Sequence, residues 1–161
     1  MSLTHPGTEQ ASVINVDGDN VLVALDAMEW LLGLRLPSVT INWWVSNEHN
    51  TVCEFTHEPL GCEIQTFWLE GLTSSEINAV TSAVQAAIAR IDTPTRGLVI
   101  DLQEATDADE WNSVILYGKE DLPGGVDLLL VGPELAARIL ASSPSLSGSE
   151  EENGLTRIRF T

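Results

Sequence analysis

Apolar and polar positions alternate with a period of two through much of the first half of the chain. They switch to a period near 3.6 in one long central stretch. Residues 12–17 and 21–25 are short apolar runs on either side of Asp17-Gly18-Asp19-Asn20. An Asp-Gly between such runs predicts a hairpin, because the turn needs a positive φ. Residues 26–34 predict a short helix with Met28, Leu31 and Leu32 on one side and Trp30 beside them, and Pro37 ends the helical pattern. In residues 39–45, Val39, Ile41, Trp43 and Val45 share one face of a strand, while Thr40, Asn42 and Trp44 share the other.

Residues 51–56 and 62–70 predict the next hairpin. Pairing Thr56 with Gly61 leaves His57-Glu58-Pro59-Leu60 as the loop and puts Cys53, Phe55, Cys62 and Ile64 on one apolar face. Glu54, Glu63, Gln65 and Phe67 then fall on the other. Thr73-Ser74-Ser75-Glu76 fits a capping box, and Ile77, Val80, Val84, Ala87, Ile88 and Ile91 continue as a helical stripe, so the spacing predicts a helix over 74–91. Its outer positions Asn78, Ser82, Gln85 and Ala89 are uncharged. Further strands are predicted at 98–102, 113–117, 126–131 and 155–160. A helix opens at Gly132-Pro133 and runs to about Leu140, with Pro at its first position. Residues 1–11 are polar and expected to fray, and 142–154 reads as a flexible acidic loop rich in Ser and Gly.

This pattern predicts an α+β fold in a single domain spanning 1–161. Its sheet is mostly antiparallel, of about six to eight strands, with the long helix 74–91 and two shorter helices packed on it.

Charge changes what such a domain can be used for. The 161 residues hold 24 Asp and Glu against 7 Lys and Arg, a net charge of −17. Binding nucleic acid through its phosphates needs clustered cations, and so does binding an anionic membrane surface, so neither partner is expected. No apolar run approaches the roughly 18 residues of a spanning helix. The first ten residues have neither the basic nor the apolar region of a secretory signal, and the two cysteines make no disulfide framework. A reduced, cytoplasmic protein is the expectation. Six of the seven basic residues are Arg, a usage that also suits a halophilic or GC-rich genome. The 54 residues between Arg35 and Arg90 contain no Lys or Arg, yet they include six Glu and five of the nine aromatic residues.

Few residues are spaced for chemistry. His49, Cys53, His57 and Cys62 are candidate metal ligands by type. They lack the tight paired spacing of a zinc knuckle, and the two cysteines read better as small buried hydrophobes, so neither metal nor cofactor is expected. Asp17-Gly18-Asp19-Asn20 echoes a calcium loop, but Leu22 and Met28 stand where the glycine and the bidentate Glu belong. There is no phosphate-binding Gly-x-x-x-x-Gly-Lys and no Gly-x-Ser-x-Gly elbow. Cys53 and His57 lie about 13 Å apart if both sit on one strand. No pair of carboxylates stands out as catalytic.

What remains is surface. Trp44 and Phe67 are expected beside Glu54 and Glu63 on the polar side of the sheet, and Asp107, Asp109 and Glu110 crowd against Trp111. Aromatic anchors within a one-sign field suit a basic protein partner. The expected function is therefore a non-catalytic inhibitor of the immunity-protein or antitoxin kind, which occludes a basic toxin or nuclease. A small acidic secretion or assembly chaperone and an enzyme without a recognisable motif are the alternatives. A monomer or a homodimer fits each, and the uncharged outer face of the 74–91 helix is a candidate dimer seam.

Overall fold

In a computed structural model, residues 1–91, 94–151 and 154–160 are described. The class is α+β, but two antiparallel sheets replace the single one expected, one of five strands and one of four, and four helices are seen among the described residues. The chain divides into two compact units, Met1–Ala83 and Val84–Thr161.

The first unit contains β1 (Ala11–Ile14), β2 (Asn20–Val23), α1 (Leu25–Gly33), β3 (Ser38–Trp44), β4 (Asn50–His57) and β5 (Glu63–Trp68), followed by the start of α2 (Ser74–Ile88). Its strand order is β2-β1-β3-β4-β5. Pairing brings Val21, Val13, Ile41, Cys53 and Phe67 side by side across all five strands. α1 lays Met28, Leu31 and Leu32 against this apolar face, and Met28 is fully buried. On the other face Asn42 Nδ2 donates to Ser12 Oγ at 3.0 Å and to Asn20 Oδ1 at 2.5 Å, and Ser12 Oγ donates to the same Asn20 oxygen at 3.0 Å. Ser12 and Asn42 are both buried, so the triangle satisfies polar groups that would otherwise be costly to cover.

The register of the β4–β5 hairpin differs from the expected one. Thr56 faces Ile64 rather than Gly61, and the ladder runs on to His57 and Glu63. The shift is by an odd number of residues, so it exchanges the faces of β5. Phe67 now packs into the core beside Cys53 and Phe55. The penalty expected for burying Glu63 does not arise, because Glu63 opens an edge strand and stays exposed. In the N-terminal segment Ser2 and Trp44 exchange backbone hydrogen bonds of 2.9 and 2.7 Å, and Thr4 bridges Ala11.

The second unit begins with the end of α2 and continues with β6 (Gly97–Ile100), α3 (Ala108–Tyr117), β7 (Leu128–Val131), α4 (Pro133–Ser142), β8 (Ser147–Glu150) and β9 (Thr156–Arg159), in strand order β6-β7-β9-β8. All four residues of β7 are buried. Leu129 and Val131 join Trp111 and Val114 of α3 and Ala136 and Ile139 of α4, while Leu128 and Leu130 meet Leu98, Ile100, Leu155 and Ile88. A strand apolar on both faces needs cover on both sides, and β7 has it inside a sheet of its own.

Three elements differ from those the sequence predicts. Residues 113–117 are not a strand but the end of α3, capped by Asp107 at the start and by left-handed Gly118 at the end. At Gly118 φ is +69°, the left-handed conformation that favours glycine at a helix C-cap. The helix predicted over 74–91 ends at Ile88, with turn hydrogen bonds carrying the chain on to Ile91. Within 142–154, Ser147–Glu150 pairs with β9, although Glu152 and Asn153 of that stretch lie outside the described residues.

Met28 fills the space between α1 and the sheet, so Met28→Ala is expected to cost about 2–5 kcal/mol. Urea unfolding followed by circular dichroism measures this; a loss near zero would mean that α1 does not cover the core.

Candidate functional site

The residues expected to form a partner surface fall in both units, and several have structural roles. Trp111 is 4% exposed, and its Nε1 donates to Thr106 Oγ1 at 2.8 Å. Thr106 in turn donates from Oγ1 and N to Asp101, at 2.6 and 2.9 Å, and the Thr106 hydroxyl is the main reason the Asp101 carboxyl is held below its ordinary range. Trp111 is therefore a core residue, not an exposed anchor. Asp107 accepts from Asp109 N at 2.8 Å as the N-cap of α3, while Asp109 and Glu110 lie exposed in its first turn, where carboxylates favour the helix dipole.

In the first unit, Phe67 packs inward and Trp44 is half-buried under His5, whose ring meets it edge-on at 4.4 Å. Glu54 lies on the opposite face from Phe67 and accepts from Ser38 Oγ at 2.5 Å. Glu63 accepts from Gln65 Nε2 at 2.7 Å and lies 3.5 Å from His57 Nε2. The four residues thus do not share one surface as expected. The exposed rings are ones the alternation did not single out, Trp30 at 67% and Trp68 at 46%.

The candidate ligand residues scatter in the same way. His57 Nδ1 donates to the Leu36 carbonyl at 2.9 Å, and His49 Nδ1 donates to Glu76 Oε1 at 2.8 Å. Cys53 is buried between Ile41 and Phe67, four residues from His57 on an unbroken strand. Burial pushes its thiol up to about 12. Among the described residues no three His, Cys, Asp or Glu side chains converge as ligands.

One polar cluster was only half legible. Ser46, Asn47, Glu48 and His49 of the β3–β4 turn form a shallow, open cleft with Thr73, Ser75 and Glu76 at the start of α2. The capping box is present: Thr73 N and Oγ1 donate to Glu76 Oε2 at 3.0 and 2.8 Å, and Glu76 N returns a 3.4 Å bond to Thr73 Oγ1. Ser46 Oγ, at 3.0 Å, and His49 Nδ1 both donate to the second oxygen, Oε1. Chain separation hid these two partners. Ser, His and Glu are all present, but the hydroxyl donates to the carboxylate rather than to the imidazole, so no nucleophile is activated. The donors, Thr73 N first and His49 next, lower the Glu76 carboxyl to about 2, too acidic for a general base near neutral pH. The cluster fastens the β3–β4 turn to α2.

No family model, no curated protein and no solved structure matches the chain.

Two measurements check this reading. A carboxyl depressed on folding contributes stability that is present above its unfolded value, near 4.5, and lost as pH falls through about 2. Glu76→Gln is therefore expected to flatten the acid limb of the stability profile across that window; an unchanged limb would contradict the fastening role. Secondly, a thiol reagent on the native protein is expected to label half-buried Cys62 well before Cys53, which should react only on unfolding. Equal labelling rates would place Cys53 at the surface.

Proposed function

We propose that the chain is a non-catalytic protein-binding inhibitor of the immunity-protein or antitoxin kind, acting by occluding the basic cleft of a toxin or nuclease. The observation that carries this reading is the charge of the first unit. Met1–Ala83 holds eleven Asp and Glu and a single Lys or Arg, Arg35, whereas Val84–Thr161 holds six of the seven basic residues. A surface of one sign steers a cationic partner towards it and rejects anionic ones, with carboxylates taking the place of substrate phosphates. The cleft at Glu76 supports the absence of catalysis only in that its carboxylate is held as a structural acceptor. The burial of Trp111 moves the reading away from 107–111 and onto the first unit.

The chaperone reading keeps one supporting observation: Asn78, Ser82, Gln85 and Ala89 are all exposed, as a dimer seam or client face requires before it is covered. A native mass measurement separates the two, since an obligate dimer favours the chaperone.

Pull-down of neighbouring gene products tests the inhibitor directly. The expected result is a basic partner captured at about 50 mM salt, released in part at about 500 mM, and inactive while bound. Capture of no basic partner at either salt would overturn the proposal.

A further inference from the structure

The large apolar side chains exposed in the first unit are concentrated in one stretch of chain. Val21 and Leu22 of edge strand β2 are exposed, as are Leu25 and Trp30 of α1 and Leu34 at its C-cap. α1 has already met its packing need with Met28, Leu31 and Leu32, so Trp30 and Leu34 are surplus to the core. They are four residues apart and share a face of the helix, and Asp26 stands four residues before Trp30 on the same face. Glu29 adds a second exposed carboxylate one turn after Asp26. Arg35 is the one cation of the whole unit. An indole at 67% exposure with carboxylates one turn away is a costly thing to leave in water unless something covers it.

We infer that this outer face of α1, with Trp30 as its anchor, is the docking surface for a cationic amphipathic segment of a partner protein. The inference rests on the inhibitor reading and names the place where that partner engages. The charge of the first unit selects the occupant. A second copy would bring one unit of eleven carboxylates and a single Arg against another like it, and an anionic lipid surface would meet the same repulsion. An Arg or Lys of a partner can instead stack on the Trp30 ring while pairing with Asp26 or Glu29, and the partner's apolar side chains can cover Leu34 and Leu25.

The test uses the full chain, isotope-labelled, titrated with a synthetic amphipathic Lys/Leu peptide and with its Glu/Leu counterpart. Backbone resonance shifts are expected at residues 21–36 with the cationic peptide alone, weakening as salt rises from about 50 to about 500 mM. Trp30→Ala should weaken binding by about tenfold or more, Trp30→Phe much less, and the Asp26→Asn/Glu29→Gln pair should flatten the salt dependence. The conservative variants, each checked by circular dichroism, keep the question open to refutation should Trp30→Ala fail to fold. Shifts centred on Asp107, Asp109 and Glu110, or affinity unchanged in a folded Trp30 variant, would overturn the α1 surface while leaving the basic-partner reading standing. So would equal binding of the Glu/Leu peptide, or a dimer that protects 21–36. A Lys/Leu peptide that does not bind at low salt also overturns the inference, and the neighbouring-gene pull-down then decides the inhibitor reading by itself.

Discussion

The first unit is organised by one transverse row of side chains: Val21, Val13, Ile41, Cys53 and Phe67, one from each of its five strands. Side chains of a strand alternate between faces, so fixing this row fixes every other residue of the sheet. It places Val39, Phe55 and Trp43 under α1 and sends Thr40, Asn42, Glu54 and Trp44 to the opposite side. It also decides what is left for the surface. Once Met28, Leu31 and Leu32 have packed against its inner members, α1 and its C-cap still carry Trp30 and Leu34, and nothing in the unit's own core takes them up.

Sequence periodicity made the strands of the first unit, the capped start of α2 and the apolar β7 legible, because each depends on neighbours close along the chain. The β4–β5 register was not legible. A carboxylate at Glu63 disfavours burial, but at the start of an edge strand it stays exposed, and this register lets the Phe67 ring join Cys53 and Phe55 in the core. Residues 113–117 read as a strand because a short apolar run suits either period. The deciding signals lay at its ends, in the Asp107 cap and in Gly118 with its positive φ. β8 was hidden for another reason: Ser147-Gly148-Ser149-Glu150 has no strand propensity. Gly148 fits there because an added Cβ would stand 2.8 Å from Leu140 Cδ1.

The candidate site was legible in kind but not in place. Charge asymmetry is a property of composition and survives folding, so the acid-rich first half remains an acid-rich unit with Arg35 alone. Which rings reach solvent is a tertiary property. Trp111 went to the core because its indole N–H finds Thr106, and Phe67 followed the register, whereas Trp30 was passed over because a helix residue beside an apolar stripe looks like part of it.

The triangle of Ser12, Asn20 and Asn42 bears on how the first sheet assembles. The β1–β2 hairpin can close by itself, and it brings only two of the three groups together. The buried Asn42 amide is satisfied only where β3 lies beside β1 in the native alignment. Any other strand drawn to that edge would leave the hairpin's polar groups short of a donor, at a penalty of about 1–3 kcal/mol for each group stranded. The triangle therefore works as a proofreading contact, admitting one neighbour to β1 and turning away the other apolar strands of the same chain.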